Sequence, residues 1–283
     1  MKRGRMMNIL FSLIVVGIYF LVEEVGLRAV DYILAYRNYS PGAIGDILYN
    51  NYYKLDSFIL GLGLVILLVL VGLRARSLRS FTRGEYISFS RLEPVDLIDS
   101  TILLLGVKGL IEIWFMLLDS LAPSYDFIRQ ALYNFETGAG SSSYKEAYIY
   151  VFLSVVLLGP IVEELIFRGI VYREMEFSFG SRPAIVISAL AFGIFHWDLV
   201  QTSYTLLIGL LLAYVYNRYR NFGLLVYLHM LNNFLETLPV SQAYQDLISE
   251  IIMLISIISI VLSVKLIFKF KREDRNRIFT RKF

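Results

Sequence analysis

The sequence predicts an all-α, polytopic membrane protein: one helical bundle of about eight transmembrane helices with both termini cytoplasmic. Three observations carry that prediction. Apolar residues make up 57% of the chain and the mean hydropathy is +0.62, well above a soluble globular domain. Eight separate apolar runs can be drawn, and 283 residues leave room for seven or eight spans of ~20 residues. Basic residues also sort by side. With the N-terminus inside, nineteen fall in inside segments and five in outside segments, as the positive-inside rule requires.

The first run, residues 6–22, follows Lys2, Arg3 and Arg5. It ends in Glu23-Glu24 without a small-x-small cleavage site, so it reads as a retained signal anchor. The second and third runs are 57–73 and 101–121. Between them, residues 74–99 are basic with interspersed Ile87, Phe89, Leu92, Val95 and Leu97. A strip along the inner membrane face and a solvated loop both fit that pattern. The stretch 137–143, Thr-Gly-Ala-Gly-Ser-Ser-Ser, reads as a flexible outside loop. The remaining runs are 148–172, 183–196, 204–216, 224–235 and 247–268; three of these are short for a span. Residues 269–283 form a basic cytoplasmic tail. The whole chain, 1–283, reads as a single membrane domain.

Composition excludes several chemistries. There is no cysteine, hence no disulfide, thiol nucleophile or thiolate metal site. A net charge of +3 does not mark a nucleic-acid binder.

Polar residues inside the apolar runs are costly, about 2.5–3.5 kcal/mol for a charge at the bilayer centre, so they point to function. Glu163-Glu164-Leu-Ile-Phe-Arg168 interrupts the fourth run. On a helix Glu164 and Arg168 are i, i+4 neighbours, so Arg168 neutralises Glu164. Glu163 lies about 100° around the helix and is left to act as a general base on water. Pro160, one turn earlier, removes a helix hydrogen bond.

The chain has only two histidines, both in apolar runs. Phe192 and His196 share a face of the fifth run, where a neutral imidazole can bind water, accept a proton or ligate a metal. His229 and Asn233 are i, i+4 in the seventh run and can donate two hydrogen bonds to an oxyanion. Asn232 points elsewhere, toward a helix–helix contact. Lys108 and Glu112, also i, i+4, read as a structural ion pair. Asp198 either orients His196 or is a loop carboxylate.

Glu163-Glu164-x-x-x-Arg168, Phe192-x-x-x-His196 and His229-x-x-x-Asn233 stand in that order on successive runs. Together they resemble the CAAX-protease and bacteriocin-processing (CPBP, or Abi) family of intramembrane proteases. The resemblance covers 148–235, which it marks as the catalytic core. It implies hydrolysis of a peptide bond, with Glu163 and His196 activating water, Glu164 supporting the site from its pair with Arg168, and His229 and Asn233 stabilising the oxyanion. Phe192 would support His196. Zinc held by Glu163, His196 and His229 and a metal-free glutamate mechanism are both compatible with the resemblance.

The expected partners are a peptide or membrane-protein substrate and the lipid bilayer, with no nucleic acid. The expected location is a multi-pass position in a prokaryotic plasma membrane. An alternative is a catalytically idle CPBP-fold scaffold that regulates another membrane protein. A proton-coupled transporter would show paired repeats, and none is found. One difficulty stands against a shared site: simple midplanes put Glu163 and His196 roughly 15 Å apart in depth.

Overall fold

A computed structural model describes residues 2–77, 86–137, 147–240 and 242–280, and these residues are mostly helical. The order is α1 (Lys2–Tyr36), α2 (Pro41–Asn50), α3 (Tyr52–Ser77), α4 (Pro94–Leu121), α5 (Asp126–Phe135), α6 (Tyr148–Phe179), α7 (Ser181–Phe195), α8 (Leu199–Tyr219), α9 (Phe222–Glu236) and α10 (Gln242–Thr280). No named strand occurs among the described residues; a single antiparallel bridge joins Phe89 to Asn221.

Six of these helices, α1, α3, α4, α6, α8 and α10, are long and apolar enough to cross a bilayer. That differs from the eight spans expected. The other two apolar runs form α7 and α9, each 15 residues long. Each spans about 22 Å, short of a hydrocarbon core ~30 Å thick. Turns cut both short. Trp197 takes a left-handed conformation (φ 54°) after α7. The Asn221 side chain caps the start of α9 by accepting from the Leu224 amide at 2.9 Å.

Helix α6 is the axis of the bundle. From Leu165 to Tyr172 every residue is buried, Arg168 among them, as befits a helix enclosed on all sides. It contacts α1, α3, α7, α8 and α9. Its hydrogen bonding is not uniform: Phe152–Leu158 and Leu165–Tyr172 are wide π turns on either side of the α-helical Gly159–Glu164. Such turns cluster at functional sites.

Gly180 ends α6 with φ at 86°, a conformation glycine adopts without a Cβ clash. The chain then reverses directly into α7. Glu163 lies seventeen residues before this turn and His196 sixteen after it. Each is therefore about 25 Å of helix from Gly180, so the turn sets the two residues at similar distances along their helices.

Helix α10 docks on α4 along small residues. Gly106 and Gly109 face Ser256, Ser259 and Ser263, and the Ser263 hydroxyl donates to the Ile102 carbonyl at 3.0 Å. A Cβ at Gly109 would run into the backbone of Ser256, which cannot step aside as a flexible side chain could. Gly109→Val is expected to destabilise the fold by about 1–3 kcal/mol, read as a lowered thermal unfolding midpoint in detergent.

Two smaller expectations resolve here. Lys108 does not pair chiefly with Glu112: it donates to Glu236 at the end of α9, because α4 and α9 are packed neighbours. The 86–93 segment splits. Ile87 and Leu92 pack on the core while Phe89 is exposed. The segment is strapped to the α8–α9 turn by Ser90 N–H to Arg220 O (3.1 Å) and Phe222 N–H to Ser88 O (2.7 Å). Most of the glycine- and serine-rich stretch 137–143 lies outside the described residues.

Candidate active site

The chemistry of the site begins with the backbone of α6. In the π register each amide donates five residues back, and Gly159 N–H accordingly reaches the Ser154 carbonyl. The next donor in that series is residue 160, a proline with no N–H. The Val155 carbonyl is left without its helical partner, and Asn233 fills the place: its Nδ2 donates to Val155 O at 2.9 Å. The proline and the asparagine, far apart in sequence, thus form one device that pins α9 against the glutamate-bearing turn. Asn232 donates to its neighbour, Asn233 Oδ1, at 3.2 Å. Asn233→Leu would strand a carbonyl. It is expected to cost about 1–3 kcal/mol, measured by thermal unfolding of the purified variant.

Glu164 and Arg168 pair as the spacing predicts, with Nη1 to Oε1 at 2.8 Å and both side chains fully buried. Arg168 also donates Nη2 to the Gly209 carbonyl at 3.1 Å, and its guanidinium lies 4.6 Å over the Phe192 ring. One arginine thus ties α6 to α7 and α8. The same Glu164 oxygen meets His229 Nδ1 at 2.7 Å. A carboxylate held by arginine accepts hydrogen bonds and donates none, so Nδ1 carries the hydrogen and Nε2 is the free end of the ring. Nε2 faces Glu163 Oε2 at 3.6 Å.

The two adjacent glutamates therefore differ in kind. Glu164 is sealed, while the Glu163 side chain retains 17% exposure and meets no arginine in an ion pair among the described residues.

Phe192 is the hub between the two histidines. Its ring stacks edge-on against His196 (5.3 Å), His229 (5.6 Å) and Phe167 (5.3 Å). The turn after α7 sets His196. Asp198 does not orient the imidazole; its carboxylate caps α8, accepting from the Gln201 amide at 2.7 Å. That cap brings the Gln201 side chain back over α7, and its Nε2 lies 3.1 Å from His196 Nδ1. His196 Nε2 is buried with no hydrogen-bond partner among the described residues.

Glu163, Glu164, Arg168, Phe192, His196, His229 and Asn233 all belong to one neighbourhood. Two contributors were not anticipated: Gln201, and the backbone carbonyl of Gly209. A carbonyl leaves no signature in sequence. Gln201 had one, its place three residues after an N-capping Asp198. Among the described residues no group of three or more histidine and carboxylate side chains is placed to hold a metal ion. His229 commits Nδ1 to Glu164 and turns Nε2 toward Glu163, the orientation in which a carboxylate-held imidazole can meet water or ligate a metal.

Comparison with known families bears on the same stretch. Residues 145–235 match the Rce1-like family model, described as type II CAAX prenyl endopeptidase Rce1-like. The Rce1-like match contains all three motifs, spans α6 to α9, and covers about a third of the chain. With six helices able to cross a bilayer, the Rce1-like segment sits in a multi-pass membrane protein. No curated protein and no solved structure matches the chain.

Proposed function

We propose that the chain is an intramembrane endopeptidase of the CAAX type that hydrolyses a peptide bond with water activated by Glu163. The observation that carries this reading is the relay Glu164–His229–Glu163, in which Arg168 neutralises one carboxylate and leaves the other for chemistry. A buried ion pair kept only for packing would not need the second glutamate.

The steps balance within these residues. With a proton on His229 Nε2, Glu163 is ionised and takes a proton from water. The water oxygen adds to the scissile carbonyl carbon, and the carbonyl π pair moves onto oxygen. His229 Nε2–H and the second N–H of the Asn233 amide serve as donors for that oxyanion. Collapse breaks the C–N bond, and Glu163 returns its proton to the leaving amine. Glu164 and Arg168 act by holding His229, and His196 completes the water site beside Phe192. The reaction uses no metal, so cleavage is expected to persist in the presence of a zinc chelator; loss of activity on chelation, restored by zinc, would oppose this part of the reading.

The substrate is a peptide or membrane protein whose cleaved bond enters the membrane-embedded site. Proteomic comparison of cells carrying the wild type or Glu163→Ala, scored for new termini in membrane-associated proteins, tests the reading. The account expects termini that disappear in the variant. Identical termini in the two strains, with the cellular phenotype intact, would favour a scaffold that binds another membrane protein.

A further inference from the structure

We infer that Gln201 is a positioning residue that fixes the tautomer of His196, so that His196 meets the reacting oxygen as an N–H donor and not as a proton acceptor. This rests on the peptidase reading above and assigns a polar side chain at His196 that the reading leaves unused.

The geometry is local and specific. Helix α7 ends at His196; Trp197 in the left-handed region and Asp198 as the cap of α8 reverse the chain within two residues. A tryptophan in that conformation is strained relative to glycine, and such strain gathers at functional turns. The reversal lays the first turn of α8 against the end of α7. The Thr202 hydroxyl donates to Gly193 O at 3.0 Å, and the Gln201 side-chain nitrogen meets His196 Nδ1 at 3.1 Å. An amide nitrogen only donates, so Nδ1 must be the accepting nitrogen of the ring. In the neutral imidazole the hydrogen then sits on Nε2. That atom is buried, and no hydrogen-bond partner meets it among the described residues. A buried N–H without a partner is costly to keep, and one on a ring that shares Phe192 with His229 is suited to a substrate or water oxygen that arrives only in the complex.

The two histidines are thereby given opposite hands. His229 has its hydrogen directed to Nδ1 by a carboxylate, and His196 has its hydrogen directed to Nε2 by an amide. One ring shares a proton with Glu163; the other offers a fixed donor.

Two arms separate this inference from the reading it rests on. The first is independent of activity. The chain has only two histidines, so protein with ¹⁵N-labelled histidine in nanodiscs yields two imidazole signals, and His196→Gln identifies one of them. Above the ordinary histidine pKa range, the His196 ring is expected to carry its hydrogen on Nε2. In Gln201→Glu, whose carboxylate accepts from Nδ1, the hydrogen moves to Nδ1. Hydrogen on Nδ1 in the wild type overturns the inference, whether or not either variant folds.

The second arm is kinetic, with a quenched fluorescent peptide bearing a prenylated CAAX end as substrate. Gln201→Glu should lower kcat on the order of a hundredfold with little change in KM. Gln201→Leu, which leaves the tautomer unrestrained, should lose less. Gln201→Glu as active as the wild type overturns the donor role, because a proton-accepting His196 would be helped by a carboxylate at that position. Wild-type protein without Glu163-dependent cleavage overturns the peptidase reading instead, and the ¹⁵N arm still judges Gln201.

Discussion

Arg168→Leu is expected to destabilise the folded protein by about 3–5 kcal/mol, the range for removing one partner of a buried ion pair. The guanidinium is fully buried and has three separate partners: the Glu164 carboxylate, the Gly209 carbonyl and the face of Phe192. Its removal leaves Glu164 in the core without its countercharge, and takes from the Gly209 carbonyl of α8 the bond it accepts from outside its helix. Arg168→Lys keeps the charge but loses the planar fork that reaches two oxygens on different helices, so it should rescue only part of the loss. Thermal unfolding of purified protein in detergent checks both. Wild-type stability in the leucine variant would show that the pair is not what joins α6, α7 and α8.

The second large effect is on rate. Glu163→Gln keeps the volume of the side chain and removes its basicity. It should lower kcat for peptide cleavage by about 10²–10⁴-fold, the span credited to general base catalysis, while the unfolding midpoint stays near that of the wild type. The asymmetry of the two glutamates makes this prediction sharp. Glu164→Gln, by contrast, breaks the contacts to both Arg168 and His229 and should lose stability and activity together. Equal behaviour of the two variants would contradict the division of roles between them.

The helices and the grouping of the candidate site residues are legible because each rests on a local rule. Apolar runs mark α1, α3, α4, α6, α8 and α10, and i, i+4 spacing pairs Glu164 with Arg168. Less was legible where distant segments or the backbone decide. Lys108 has Glu112 one turn away in sequence, yet α9 offers it Glu236. The lengths of α7 and α9 follow from Trp197 and the Asn221 cap, neither of which hydropathy reads. Counted from Gly180, Glu163 and His196 stand at similar distances along their helices, which a count from the midplanes does not show. Spacing alone favours Asn233 over Asn232, and its bond to Val155 needs two further facts: a π turn in α6 and a proline at its end. Gln201 was overlooked because its part depends on a two-residue reversal that a hydropathy reading does not show.

The claim that Glu163 activates the hydrolytic water is tested most directly with purified protein and the prenylated CAAX peptide in ¹⁸O-labelled water. The account predicts that the wild type releases a fragment whose new carboxyl group carries one ¹⁸O atom, and that Glu163→Ala, folded to the same unfolding midpoint, releases none. Labelled product formed by Glu163→Ala at the wild-type rate would contradict it.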